Sequence, residues 1–126
     1  MTTLTQSQPA VKPRRFEPVS GSFVWATPFD GTRGRLVIST RTGAAIYTVT
    51  AIREGAGPHF GGQLAGYQLD NEGNGETYHV ALEPWGMDCT CWDGLIRQQH
   101  APTPDCRACK HVVALEAALP VPRQAA

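Results

Sequence analysis

All four cysteines of this 126-residue chain fall inside one short window that closes at His111. They stand as Cys89-x-Cys91 and then as Cys106-x-x-Cys109-x-His111. Soft thiolates with an imidazole at such close spacing favour a tetrahedral Zn²⁺ ion. No other feature constrains the fold as much, because an ion held by both halves of the window fixes two separated stretches of chain against each other.

The competing use of four cysteines is a pair of disulfides. Their confinement to one window, with a histidine spaced into it, argues against that. So does the start of the chain, MTTLTQSQPAVKPRR, which has no apolar core of the kind an export signal carries. A cytoplasmic, reducing setting is therefore expected, where clustered cysteines hold metal more often than they pair. The apolar runs are too short to cross a membrane, and the length fits one domain with a modest core. The net charge of zero hides an asymmetry. Residues 1–53 carry seven basic against two acidic side chains, a net of +5, and residues 54–126 carry four against nine, a net of −5. Basic groups in the first half are a possible meeting place for phosphates, with a solvated face as the plainer reading.

Residues 1–20, rich in Thr, Gln, Pro and Ser, cannot bury enough surface to offset their ordering entropy and read as a flexible tail. A single α+β domain is expected over 21–120, with 121–126 as a frayed end. Phe23, Val24, Trp25 and Phe29 are its first apolar anchors, and Pro28 to Gly31 reads as a turn. Leu36–Thr40 and Ala45–Ile52 are β-branched runs separated by a turn in which Gly43 supplies positive φ, a hairpin signature. Apolar groups on both faces of the second run suggest a central strand. After a Gly-rich loop at 54–63, Leu64–Asp70 and Thr77–Glu83 form a second hairpin with an acidic, mobile tip at 71–76. Tyr78, Val80 and Leu82 alternate with His79, Ala81 and Glu83 at the period of a half-buried strand. The two hairpins thus occupy 21–76 and the strand beyond it. A helix is expected to begin at Pro104 or Asp105. Its stripe is Ala108, Val112, Leu115 and Leu119, and Pro120 with Pro122 stops it. The expected architecture is a small antiparallel sheet of two hairpins packed with one C-terminal helix and stapled by zinc.

In a strand, side chains two apart share a face, so Cys89 and Cys91 can present two sulfurs to one ion from a single strand, with Thr90 turned away. Trp92 follows and could shield the site. The other half leaves alternatives open. Cys106 and Cys109 are three apart and share a face of a helix. Cys109 and His111 are about 200° apart on a regular helix and converge only at an irregular helix start. Spacing alone leans towards Cys106 with Cys109. His59, His79 and His100 are isolated and read as surface or structural residues.

The order Cys89-x-Cys91, a linker, then Cys109-x-His111 leading into the apolar run Val112–Leu115 resembles the SWIM-type zinc finger, whose pattern is C-x-C, a spacer and C-x-H on a strand–strand–helix unit. The resemblance covers 77–119, about a third of the chain. Members of that family accompany Swi/Snf-type helicases, Mutator-like transposases and signalling proteins, as DNA- or protein-binding modules. It implies one structural Zn²⁺ held by Cys89, Cys91, Cys109 and His111. Cys106 is not required by the pattern and stands as an alternative ligand or a bystander. With three thiolates and an imidazole every position of the ion is filled, so hydrolytic chemistry at it is disfavoured.

The resemblance therefore implies a non-catalytic, zinc-binding adaptor that meets a protein or a nucleic acid. If the partner is DNA or RNA, Arg97, Arg107 and Lys110 are the candidate phosphate contacts beside the site, together with the basic N-terminal half. Asp88, Asp93, Asp105 and Glu116 dilute the local field, which tilts the expectation towards a protein partner. A thiol redox sensor working through Cys106 and Cys109 is the remaining alternative. Paired carboxylates, a phosphate-binding Gly-rich loop and a nucleophile elbow are all lacking, and neither a small-molecule substrate nor a membrane is expected.

Overall fold

The computed structural model describes residues 16–54 and 63–119. The expected N-terminal tail (through residue 15), the Gly-rich loop at 55–62 with His59, and the frayed end fall outside the described residues. Six strands follow one another: β1 Gly21–Thr27, β2 Arg33–Thr40, β3 Gly43–Arg53, β4 Leu64–Asn71, β5 Thr77–Glu83 and β6 Gly86–Cys89. Helix α1 runs over Trp92–His100, a 3₁₀ turn over Pro104–Cys106, and helix α2 over Lys110–Ala118. The strands form one antiparallel meander in the order of the chain. This is a small α+β fold. Both expected hairpins are in it, and β3 lies between β2 and β4 as a central strand.

Cross-strand partners share a face of a sheet, so the register shows what lines the core. One row runs Trp25, Leu36, Tyr47, and the next runs Val49, Leu69, Tyr78. A third runs Tyr67, Val80, Cys89. Cys89 is thus the core-facing end of a row of apolar side chains, and the register of β6 alone aims its sulfur inward. Helix α2 covers this face with Val112, Ala114 and Leu115, and Leu119 just beyond it is also buried. At its far end the Trp25 indole N–H donates to the Ala118 carbonyl at 3.1 Å, satisfying one of the acceptors that a helix C-terminus leaves open. The opposite face is mixed, with the apolar cross-strand row Val24, Val37 and Ile46 beside polar side chains. Arg35 there donates twice to Glu72, at 2.8 and 2.9 Å, and Thr48 adds a third bond at 2.9 Å. Arg35 holds the Glu72 carboxyl at about 2, well below its usual range.

Two elements exceed the expected ones, β1 and α1, and the strand expected to carry both Cys89 and Cys91 is β6, which ends at Cys89. The tip between β4 and β5 is tied rather than loose. The Asn71 side chain accepts from the Gly73 and Asn74 amides, and Glu72 is anchored on Arg35. The C-terminal helix also starts later than expected. Pro104–Cys106 makes only one 3₁₀ turn, and α2 begins at Lys110 with Cys109 in extended backbone before it, φ −77° and ψ 176°. A helix running on from Pro104 would set Cys109 and His111 about 200° apart. The break at Cys109 removes that obstacle. Val112, Leu115 and Leu119 still form the buried stripe, whereas Ala108 precedes the helix and is only partly buried.

Candidate metal centre

Four donors converge where the end of β6 meets the starts of the two helices. The Sγ atoms of Cys89, Cys91 and Cys109 and a ring nitrogen of His111 all lie within 4.8 Å of one another, and all four residues are buried. Cys89 comes from the last position of β6, Cys91 from the N-cap of α1, Cys109 from the N-cap of α2 and His111 from its first turn. Cys91, like Cys109, has extended backbone, so the expected same-face relation of residues 89 and 91 survives although β6 itself stops at Cys89. Thr90 is exposed and returns to the sheet, its N–H donating to the His79 carbonyl at 3.0 Å and its hydroxyl accepting from the His79 N–H at 3.0 Å.

The distances fit a tetrahedral ion. Bonds of about 2.3 Å to sulfur and about 2.0 Å to nitrogen, at the tetrahedral angle, place sulfur and nitrogen about 3.5–3.6 Å apart. His111 Nδ1 lies 3.6 Å from Cys89 Sγ and 3.7 Å from Cys109 Sγ. The donor set would hold one ion through three sulfurs and His111 Nδ1, and soft thiolates with an imidazole suit Zn²⁺. The ion would supply a crosslink between β6 and both helices.

The protonation of the free thiols reflects their crowding. Contact with the Cys109 and Cys89 thiols, with further help from the Gly94 N–H, holds Cys91 far below the ordinary thiol range. The same contacts with Cys109 and Cys91 push Cys89 far up. At Cys109 the Cys89 thiol pulls downward, but the Cys91 sulfur and burial outweigh it and leave the group pushed up to about 12. A divalent cation bound by these sulfurs would displace the protons they still carry, so binding is expected to release protons.

Neighbouring groups finish the site. The other ring nitrogen of His111, Nε2, lies 3.3 Å from the Tyr47 hydroxyl. With Nδ1 turned to the sulfurs, Nε2–H donates to Tyr47, which fixes the tautomer and the ring plane. Burial raises the Tyr47 phenol above its ordinary range, so it remains a neutral acceptor. The Tyr78 ring lies against the imidazole, with centroids 4.7 Å apart. Gly94 permits the close approach of α1, because a Cβ there would sit 2.9 Å from the Cys89 carbonyl oxygen and 3.3 Å from Cys91 Sγ. Tyr47→Phe is expected to fold normally and to weaken metal binding about 10- to 100-fold, as read by competition with a chromogenic chelator. Unchanged affinity would mean that Tyr47 only packs.

The remaining candidates lie elsewhere. Cys106 is buried outside the group of four, and its sulfur accepts from the Thr103 hydroxyl at 3.3 Å. Trp92 is 71% exposed and does not shield the sulfurs; Tyr47 and Tyr78 pack on His111 instead. Arg97 does not face solvent as a phosphate contact would. Its guanidinium is buried and donates to Asp93 Oδ2 at 2.7 Å, to the Glu17 carbonyl at 2.8 Å and to the Cys106 carbonyl at 2.7 Å. Arg107 is exposed and Lys110 half-buried. His79 and His100 are exposed, as expected. Spacing did not point to Tyr47, which is 64 positions from His111, and only its place among the core-facing residues of β3 marked it at all.

No protein-family model, characterised protein or solved structure matches this chain. What the fold and the site define is therefore a small α+β protein with a buried Cys₃His cluster compatible with one metal ion. None of the helices among the described residues is long and apolar enough to cross a membrane.

Proposed function

We propose that the chain is a zinc-stabilised, non-catalytic binding module of SWIM type that presents its surface to a protein partner in the cytoplasm. The observation that carries this is the closed donor set. Cys89, Cys91, Cys109 and His111 would fill all four positions of a tetrahedral ion, which would leave none for water or substrate and give the ion the role of holding the fold. Helix α1, which such an ion would anchor through Cys91, supplies an apolar contact surface. Trp92 and Leu95 lie one turn apart on it and are 71% and 44% exposed. Aromatic side chains of this kind are enriched where proteins meet.

Two other readings are less well supported. The nucleic-acid reading loses Arg97 to internal bonds and retains Arg107 and Lys110, beside Asp93 and Asp105. The redox reading pairs Cys106 with Cys109, yet the Cys106 sulfur lies outside the cluster and is bonded to Thr103.

Gel shifts with random-sequence DNA and RNA across a salt series, beginning near 50 mM, test the choice. No shift is expected at any salt. The double variant Trp92→Ser, Leu95→Ser should keep its metal and its melting temperature but lose cross-links to the protein partner. A low-salt shift abolished by Arg107→Ala with Lys110→Ala would overturn the protein-partner reading in favour of nucleic acid.

A further inference from the structure

Arg97 is the only buried side chain among the described residues that carries a permanent charge. A charge withdrawn from water is costly unless fully partnered, and here the partners come from three stretches of chain. Asp93 is one turn back on α1, the Cys106 carbonyl is in the 3₁₀ turn, and the Glu17 carbonyl lies ahead of β1. The Phe16 ring lies beneath the guanidinium, 5.7 Å from its centroid to Cζ. The lead-in to β1 is therefore fastened to the two segments that flank the donor cluster. Pro18 follows at once, fixing its own φ and restricting Glu17 before it.

The fastened segment borders the approach to the sulfurs. A groove of about 530 Å³ has residues 17–20 on one side and the β2–β3 turn at Thr40–Thr42 on another, and it reaches Cys91, Cys109 and His111. Against His111 itself lie the Tyr47 and Tyr78 rings. Within this groove the sulfurs are buried, Cys91 6% exposed and Cys109 fully buried, and a second groove of about 400 Å³ touches the cluster only at Cys89.

We propose that residues 16–20 are a retaining strap for the metal, latched by Arg97, and that it governs how fast an ion is exchanged through this groove. The proposal rests on the metal-binding reading above. Transfer of the ion requires an incoming donor, a carboxylate or nitrogen of a chelator or of an acceptor protein, to bond to the ion as a metal–sulfur bond breaks. No oxidation is involved, and the departing thiolate takes up a proton from water. A strap along the groove hinders that approach without altering the four ligands, so its signature is kinetic.

The experiment follows zinc transfer from the full chain to a chromogenic chelator by stopped flow, alongside equilibrium competition for the metal. Arg97→Lys keeps a positive charge for Asp93, but a single ammonium cannot reproduce the planar fork that reaches both carbonyls. It is expected to speed release about tenfold, the scale of one lost charge-assisted hydrogen bond. Phe16→Ala should speed it by a smaller factor, and both variants should keep their equilibrium affinity within about twofold. Release rates unchanged in both variants would overturn the strap, as would affinity falling in step with the faster release. If Arg97→Lys loses the wild-type circular dichroism, Phe16→Ala decides alone. A wild-type chain that binds no zinc would instead refute the metal-binding reading itself, a result distinct from either of these.

Discussion

His111→Ala is expected to lose the metal, and Cys106→Ser to retain it. Zinc per chain, measured after gel filtration against a weak chelator, should fall from one to near zero in the first variant and stay at one in the second. The two histidine-to-sulfur distances already match the sulfur–nitrogen edge of a tetrahedral zinc site, and Tyr47 holds the imidazole from its other side. The Cys106 sulfur is bonded to Thr103 instead. The effect on stability should be large. An ion present at 1,000 times its dissociation constant adds about 4 kcal/mol to the folded state. For a domain of this size that corresponds to a melting temperature roughly 15–30 °C lower when the ion is lost. Cys89→Ser and Cys109→Ser should behave like His111→Ala. The opposite pattern, with metal lost on Cys106→Ser and kept on His111→Ala, would show that the ligand set is Cys₄.

Much of this site was legible because its information is local. Cys89-x-Cys91 and Cys109-x-His111 need only a short piece of extended backbone, which Cys91 and Cys109 supply at the two N-caps. The choice between Cys106 and His111 was not settled by spacing, since that depended on whether the helix ran on from Pro104 or broke at Cys109. The hairpins were legible for the same reason: alternation and a glycine at the turn are properties of a few neighbouring residues. Helix α1 was not. Its sequence, WDGLIRQQH, is polar and carries a glycine that weakens a helix in isolation. Packing beside Cys89 demands that glycine, and a sequence pattern does not show the packing. Arg97 was misplaced on the same ground. An arginine on a polar helix normally faces water, and what buries this one is a carbonyl 80 positions away. Local chemistry singled out the four residues that converge, and long-range contacts decided what surrounds them.

Leu115→Ala should reveal how the helix and the metal depend on each other. Leu115 is fully buried between α2 and the sheet, where truncation to alanine costs about 2–5 kcal/mol. Helix α2 has nine residues, too few to persist alone in water. It is held by this apolar face and by the Trp25 bond at its end, and a metal ion would hold it further through Cys109 and His111. Without metal that last attachment is absent, and three buried thiols crowd its N-terminus. We therefore expect α2 to leave the sheet in the metal-free chain, so that Leu115 contributes only when metal is bound. The cost of the substitution then appears as lost metal affinity: about 3 kcal/mol, roughly a hundredfold weaker binding. The melting temperature of the metal-free chain should hardly change. Competition titration and melting curves, each with and without zinc, give all four corners of this cycle. If α2 stayed docked without metal, the metal-free melting temperature would fall by about 10 °C or more and the affinity would hold. That result would make the ion a clasp on a finished fold, whereas the expected one makes it a condition for the last helix to fold.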